Sequence, residues 1–144
     1  MSDSQNNEVK IPKANLDGVS VETLAVRAGQ IRSQELEHSE AIFPTSSFVF
    51  NTAKEAADRF SGEVPGNIYA RFTNPTVAVL EQRIAALEGG SGAICTASGM
   101  SALFTTFITL CSAGDHIVSS AQIYGSTATL LRHTLKRFGI DCTF

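Results

Sequence analysis

The stretch AICTASGMSALFTTFITLCSAGDHIVSSAQIYGSTATLLRHTLKRFGIDCTF, residues 93–144, decides the fold class. Residues 93–96 form a short apolar strand candidate, and the turn Ala97-Ser98-Gly99 follows it. Residues 100–111 are apolar nearly all round, which predicts a helix buried on most faces. Gly114-Asp115 then turns the chain into a second strand over 116–119. Residues 124–138 read as the next helix, with Leu130, Leu131, Leu135 and Phe138 apolar. Lys136 and Arg137 sit near the negative end of its dipole. Gly139 stops it, and a third strand begins at 140. This strand–helix–strand–helix–strand order implies right-handed crossovers and a parallel sheet covered on both sides, an α/β fold. Such a sheet calls for more strands and helices than these residues supply, so the 144 residues read as the front portion of a larger α/β protein.

Upstream, the punctuation is that of helices and loops. Asn74-Pro75 starts a helix, with Asn as the cap and Pro at the first turn, where its missing N–H costs nothing. Val77, Leu80, Ile84 and Leu87 recur at helical spacing and predict one buried stripe, which Gly89-Gly90 ends. Thr52-Ala53-Lys54-Glu55 fits a capping box and predicts a helix to about residue 60. Residues 61–73 contain Gly62, Pro65 and Gly66 and read as a loop. Residues 41–50, AIFPTSSFVF, favour an extended path around Pro44. Residues 21–28 can make two helical turns before Gly29, and residues 1–20 are polar without an apolar period and read as an arm. The expected organisation is therefore an arm (1–20), a helical segment (21–61) and the first part of an α/β domain (62–144).

Composition narrows the function classes. Eleven Lys plus Arg against 14 Asp plus Glu give a net charge of -3, which argues against nucleic acid as a partner. With 43% hydrophobic and 17% charged residues the chain can build a core. No apolar run reaches a membrane span, and the polar start MSDSQNNEVK does not read as a secretory signal. Cys95, Cys111 and Cys142 are odd in number and lie among apolar neighbours, which points to reduced thiols and a cytoplasmic setting. His38, His116 and His133 share no metal-ligand spacing with one another or with the cysteines, so no metal site is expected. Glu35, Glu37 and Glu40 read as a solvated face. No internal repeat is present.

Three features bear on chemistry. The turn into the helix at Thr96-Ala97-Ser98-Gly99-Met100-Ser101 presents free amides and hydroxyls on which a phosphate can sit, and Gly99 permits close approach. Locally, a plain tight turn capped by serines accounts for the same residues and leads, since many such turns bind nothing. Neither a P-loop nor a dinucleotide fingerprint is present, because Gly89-Gly90-Ser91-Gly92 precedes a strand instead of following one. If residues 69–71 are extended, Tyr69 and Arg71 share one side and can converge on an anion; the alternative is an exposed Arg beside a packed Tyr. Tyr124, after the second strand, is placed either to cover a planar ligand at the sheet edge or to fill a gap beneath a helix.

These stretches resemble the cysteine/methionine-metabolism family of enzymes dependent on pyridoxal 5′-phosphate. The resemblance is carried, in the family's order, by ETLAVRAGQ from Glu22, PTSSF from Pro44, YARFTNPT from Tyr69, LEGG from Leu87, TASGM from Thr96 and Tyr124-Gly125. It implies the first part of an aspartate-aminotransferase-like, fold type I large domain. It also implies that the amides of Gly99 and Met100 hold the cofactor phosphate and that Tyr124 stacks on the pyridine ring and handles a proton. Tyr69 and Arg71 would reach the phosphate of a neighbouring subunit's site, in a homo-oligomer built as a dimer of dimers. Within the family the resemblance is strongest to the branch that replaces the succinate of an acylated homoserine with sulfide, yielding homocysteine. The substrates are then a small amino acid and sulfide. Cystathionine γ-synthases and methionine γ-lyases are neighbouring branches.

The family's Schiff-base lysine stands in a Ser-x-Thr-Lys-type segment, and none of Lys10, Lys13, Lys54 and Lys136 has that context. A rival reading is a non-catalytic remnant kept as an interaction module, and a third is a generic phosphate-binding α/β domain. An in-frame continuation bearing Ser-x-Thr-Lys separates the first reading from the remnant. Without the lysine there is neither covalent anchor nor base at the substrate Cα. The purified 144-residue chain, given O-succinylhomoserine, sulfide and cofactor, is therefore expected to form no homocysteine above the protein-free rate; a measured enzymatic rate contradicts this.

Overall fold

The computed structural model describes residues 15–144, so the expected arm lies outside the described residues up to residue 14. The chain falls into two compact units that meet at Ile94/Cys95, and the expected 62–144 domain spans that division.

The first unit is held by caps and by one close helix contact. Helix α1 (Val21–Arg27) starts where the Ser20 hydroxyl accepts the Thr23 N–H. Helix α2 (Ala53–Ser61) has the expected hydroxyl cap: Glu55 N–H donates to Thr52 Oγ1 at 3.0 Å. The return bond of the box, however, goes one residue further out, from Asn51 N–H to Glu55 Oε2 at 2.8 Å. Helix α3 (Pro75–Glu88) begins on Asn74, whose Oδ1 accepts the Thr76 N–H, and ends at Gly89 in the left-handed region. The Asn74 side chain also donates to Phe43 O at 3.1 Å, and Phe43 N–H donates to Thr76 Oγ1 at 2.9 Å. A start signal read as local thus also ties α3 to the extended 41–50 segment.

Helices α1 and α3 pack through Gly29, which has φ +73°. A Cβ there would lie 2.5 Å from Val79 O and 2.9 Å from Gln82 Cβ. Arg83 fastens the same junction, donating from Nε to Ala28 O at 2.9 Å and pairing with Glu40. The contact face of α3 therefore runs through Val79, which is buried, and Arg83. This corrects the expected stripe, because Val77, Leu80 and Ile84 are exposed. Helical period groups residues by face but does not say which face meets a neighbour.

In the second unit, helix α4 (Gly99–Leu110) is followed by strand β1 (His116–Val118), helix α5 (Gly125–Thr129) and strand β2 (Asp141–Thr143). The strands pair in parallel, with His116 opposite Asp141 and Val118 opposite Thr143. Between α5 and β2 the helix widens into a π turn (Leu130–Thr134) and then tightens into a 3-10 turn (Leu135–Phe138). At the α-helical period Leu135 would sit about 140° around the axis from Leu130. The wider turn, closed by Leu135 N–H to Leu130 O, brings Leu130, Leu131 and Leu135 into one arc. With Ile140 they form the buried core.

Two further expectations are corrected. Residues 93–96 form no strand, since among the described residues the sheet has only β1 and β2, and a strand is a ladder that needs a partner. Helix α4 has no buried residue: Met100, Leu103, Phe104 and Phe107 lean on the core, while Leu110 is 77% exposed. Its other face has no cover among the described residues, which leaves the apolar surface that its composition called for elsewhere to bury.

Two stability outcomes follow. Gly29→Ala should cost about 3 kcal/mol, through both the positive φ and the contact with Val79, whereas Gly18→Ala, with φ +70° and open space, should cost about 1 kcal/mol. Denaturant titration of the two variants checks the ranking. The Arg83 guanidinium, hydrogen-bonded to Glu40, holds that carboxyl below its ordinary 4.5. Its contribution is present above that pH and lost as pH falls through the lowered value. Glu40→Gln should therefore lower Tm at about pH 7, and the difference from the parent should shrink as the pH falls below 4.5.

Candidate cofactor site

The expected phosphate cup is the first turn of α4. Ser98 caps the helix, and its Oγ accepts the Ser101 N–H at 3.1 Å while its carbonyl accepts the Ala102 N–H at 3.0 Å. Thr96 Oγ1 donates to Ser98 O at 2.9 Å and steadies the cap. Among the described residues, the N–H groups of Gly99 and Met100 find no acceptor. A Cβ built on Gly99 meets nothing within 4 Å, so no side chain among the described residues crowds Gly99 on that side. The backbone dipoles of a 12-residue helix place partial positive charge there. Such a cup suits a dianionic phosphate.

Tyr124 stands at the start of α5, where its carbonyl accepts the Ala128 N–H, and the residue is 72% exposed. The neighbouring residue Ile123 and the cup residue Met100 pack against the same Leu130–Leu131–Leu135–Ile140 core. One hydrophobic cluster therefore positions both the cup and the aromatic. Among the described residues Tyr124 fills no gap beneath a helix.

Tyr69 and Arg71 come together in the first unit, but by a turn and not by strand alternation. Tyr69 pairs with Ser47 in an antiparallel bridge, flanked by Phe48 N–H to Ile68 O and Ala70 N–H to Ser46 O. The chain then turns, with Phe72 and Thr73 N–H both donating to Tyr69 O. Arg71 Cζ lies 5.8 Å from the Tyr69 ring centre and 4.7 Å from that of Phe72. Among the described residues no carboxylate pairs with Arg71. Phe72 is the residue that sequence reasoning passed over; an aromatic directly after an exposed Arg was the available signal. The acidic residues near 37 serve structure: Glu37 accepts from Ser33 N–H at 2.8 Å and Ser33 Oγ at 2.7 Å. Those bonds hold its carboxyl below the ordinary range. Among the described residues no group of three His, Cys, Asp or Glu could hold a metal ion, and no helix is long and apolar enough to cross a membrane.

Residues 22–144 match the profile of Cys/Met metabolism PLP-dependent enzymes. The chain belongs to that family. An O-succinylhomoserine sulfhydrylase of Pseudomonas aeruginosa is 56% identical over 131 residues, covering 91% of this chain and 32% of the relative. An L-methionine gamma-lyase of Fusobacterium nucleatum is 44% identical over 122 residues, covering 85% of this chain and 31% of the relative. Among solved structures, one assigned as an O-acetylhomoserine (thiol)-lyase of Campylobacter jejuni has a TM-score of 0.81 at 43% identity, over 86% of this chain and 30% of that one. It carries N′-pyridoxyl-lysine-5′-monophosphate. The chain thus spans about a third of the length of the curated relatives it matches. The family's cofactor is pyridoxal 5′-phosphate, and the architecture is part of its α/β, fold type I large domain.

Proposed function

We propose that this chain supplies the phosphate cup and ring cover of a cytoplasmic transferase that exchanges the γ-substituent of an acylated homoserine for sulfide, with O-succinylhomoserine as substrate and homocysteine as product. The observation that carries the reading is the pair of amides at Gly99 and Met100, acceptor-less among the described residues and uncrowded at Gly99, in a chain of the PLP-dependent family. A sulfhydrylase reading is preferred over a γ-lyase because the Pseudomonas relative is the more similar, at 56% against 44% for the γ-lyase.

In this reading the Gly99 and Met100 N–H groups donate to the phosphate, and the α4 dipole adds to the attraction. Tyr124 covers the face of the pyridine ring, and its hydroxyl passes a proton to the leaving carboxylate. Arg71, held over Tyr69 and Phe72 and free of carboxylates among the described residues, reaches the phosphate of a neighbouring subunit together with the Tyr69 hydroxyl. The oligomer is then a dimer of dimers in which each site draws on two chains. When bound, pyridoxal 5′-phosphate supplies the electron sink for loss of the Cα proton. The lysine that anchors it comes from polypeptide outside these 144 residues, so they alone are inactive.

The test uses pyridoxamine 5′-phosphate, which has the ring and phosphate but no aldehyde to condense with Lys54 or Lys136. Gly99→Ala adds a methyl group in open space, with nothing within 4 Å, beside the amides proposed to hold the phosphate. Equilibrium dialysis should show binding weakened about tenfold, with the melting temperature unchanged or raised. Tyr124→Ala should also weaken binding. Equal binding by Gly99→Ala and the parent overturns the cup.

A further inference from the structure

We infer that Arg59 is a positioning residue for the loop that presents Tyr69 and Arg71, acting as a clamp between α2 and the segment that leads into that loop. The inference rests on the reading of Tyr69 and Arg71 given above. Arg59 lies in the last turn of α2, and its Nη2 donates to Glu55 Oε1 at 2.6 Å, one turn back. Glu55 is itself fixed by the Asn51 N–H, so the guanidinium is anchored to the helix start. From that anchor Nη1 donates across to Asn67 O at 3.3 Å, two residues before Tyr69. The guanidinium also stacks on Phe50 at 5.8 Å, and Phe50 packs on Phe60 with ring centres 6.1 Å apart.

Two independent features separate this from an ordinary helix-end ion pair. Gly66 lies close against the guanidinium: a Cβ there would sit 2.7 Å from Nη1 and 2.8 Å from Cζ and Nε. Gly66 has no positive φ, so it is glycine for close approach and not for backbone freedom. In addition, Arg59 Nε is buried without an acceptor, an unfavourable arrangement for stability that calls for an explanation. A planar cation that must lie beneath a glycine and still reach Asn67 O explains both. Lysine, a point charge on a flexible stem, cannot do the same. Downstream of the clamp, the Ser47–Tyr69 bridge and the turn at 70–72 deliver Arg71 onto Phe72. Without Arg59 the incoming segment is still held to α2 by Val64 N–H to Asp58 O at 3.1 Å, but that bond lies five residues before Tyr69.

The experiment compares Arg59→Lys and Gly66→Ala with the parent chain, each alone and combined with Arg71→Ala. Gly66→Ala leaves Arg59 in the sequence but displaces its side chain, so it serves if Arg59→Lys folds poorly. Amide hydrogen exchange at residues 66–72 and equilibrium dialysis with pyridoxamine 5′-phosphate are the readouts. Both variants should speed exchange at Ala70 and Phe72, whose N–H groups donate to Ser46 O and Tyr69 O, while leaving Ala102, bonded to Ser98 O, unchanged. Each should weaken binding about tenfold alone and add almost nothing once Arg71 is already Ala. A merely structural role would instead give the same loss in both backgrounds, and that result overturns the inference. Unchanged exchange at 66–72 overturns the clamp. If Arg71→Ala alone leaves binding intact, the reading of Arg71 fails and the positioning role fails with it, while the exchange data still decide whether the clamp exists.

Discussion

A helix cannot satisfy the amide protons of its own first turn, and everything proposed for this chain depends on how α4 leaves two of them. Ser98 provides a single hydroxyl, and that hydroxyl is engaged by Ser101. Gly99 and Met100 therefore face outward with their N–H groups unused among the described residues, and the absence of a side chain at Gly99 keeps the approach open. An N–H left in that state gains most from an anion, because the donor needs no reorganisation and the helix dipole has the right sign. Met100 then has two tasks: its backbone lines the cup while its side chain leans on the leucine core that also seats Ile123 beside Tyr124.

The first unit obeys the same logic with side chains in place of a helix end. Two of its connections are pinned to a helix by an arginine that the helix carries. Arg83 joins Ala28 O and Glu40 to α3, and Arg59 joins Asn67 O and Glu55 across α2. In both places a glycine makes room, Gly29 against Val79 and Gly66 against the guanidinium itself. The loop so pinned carries Arg71 with no carboxylate partner among the described residues, over the rings of Tyr69 and Phe72.

What was legible in the sequence was local. Thr52 with Glu55, Asn74 with Pro75, and Gly89 all act through bonds within four residues, and they appear where the pattern put them. The parallel pairing of residues 116–118 with 141–143 was legible because helix-length spacing between strands leaves little choice. Residues 93–96 failed for the opposite reason, since pairing is decided by chain that is not adjacent. Val77, Leu80 and Ile84 share a face as their spacing requires, but the neighbour of α3 meets Val79. The π turn at 130–134 answers to packing three leucines and Ile140 into one small core, and no residue type announces that. The motifs in order, and not any one of them, carried the family, and the 123-residue span from 22 to 144 (144 − 22 + 1) bears that reading out.

The central claim concerns two specific amides, and nuclear magnetic resonance reads them directly. In a 15N-labelled sample titrated with pyridoxamine 5′-phosphate, the Gly99 and Met100 amide protons should move downfield together and saturate with one affinity. If they stay in place while resonances elsewhere, such as those around Arg132 and Lys136, follow the ligand, the cup at the start of α4 is not where the phosphate binds.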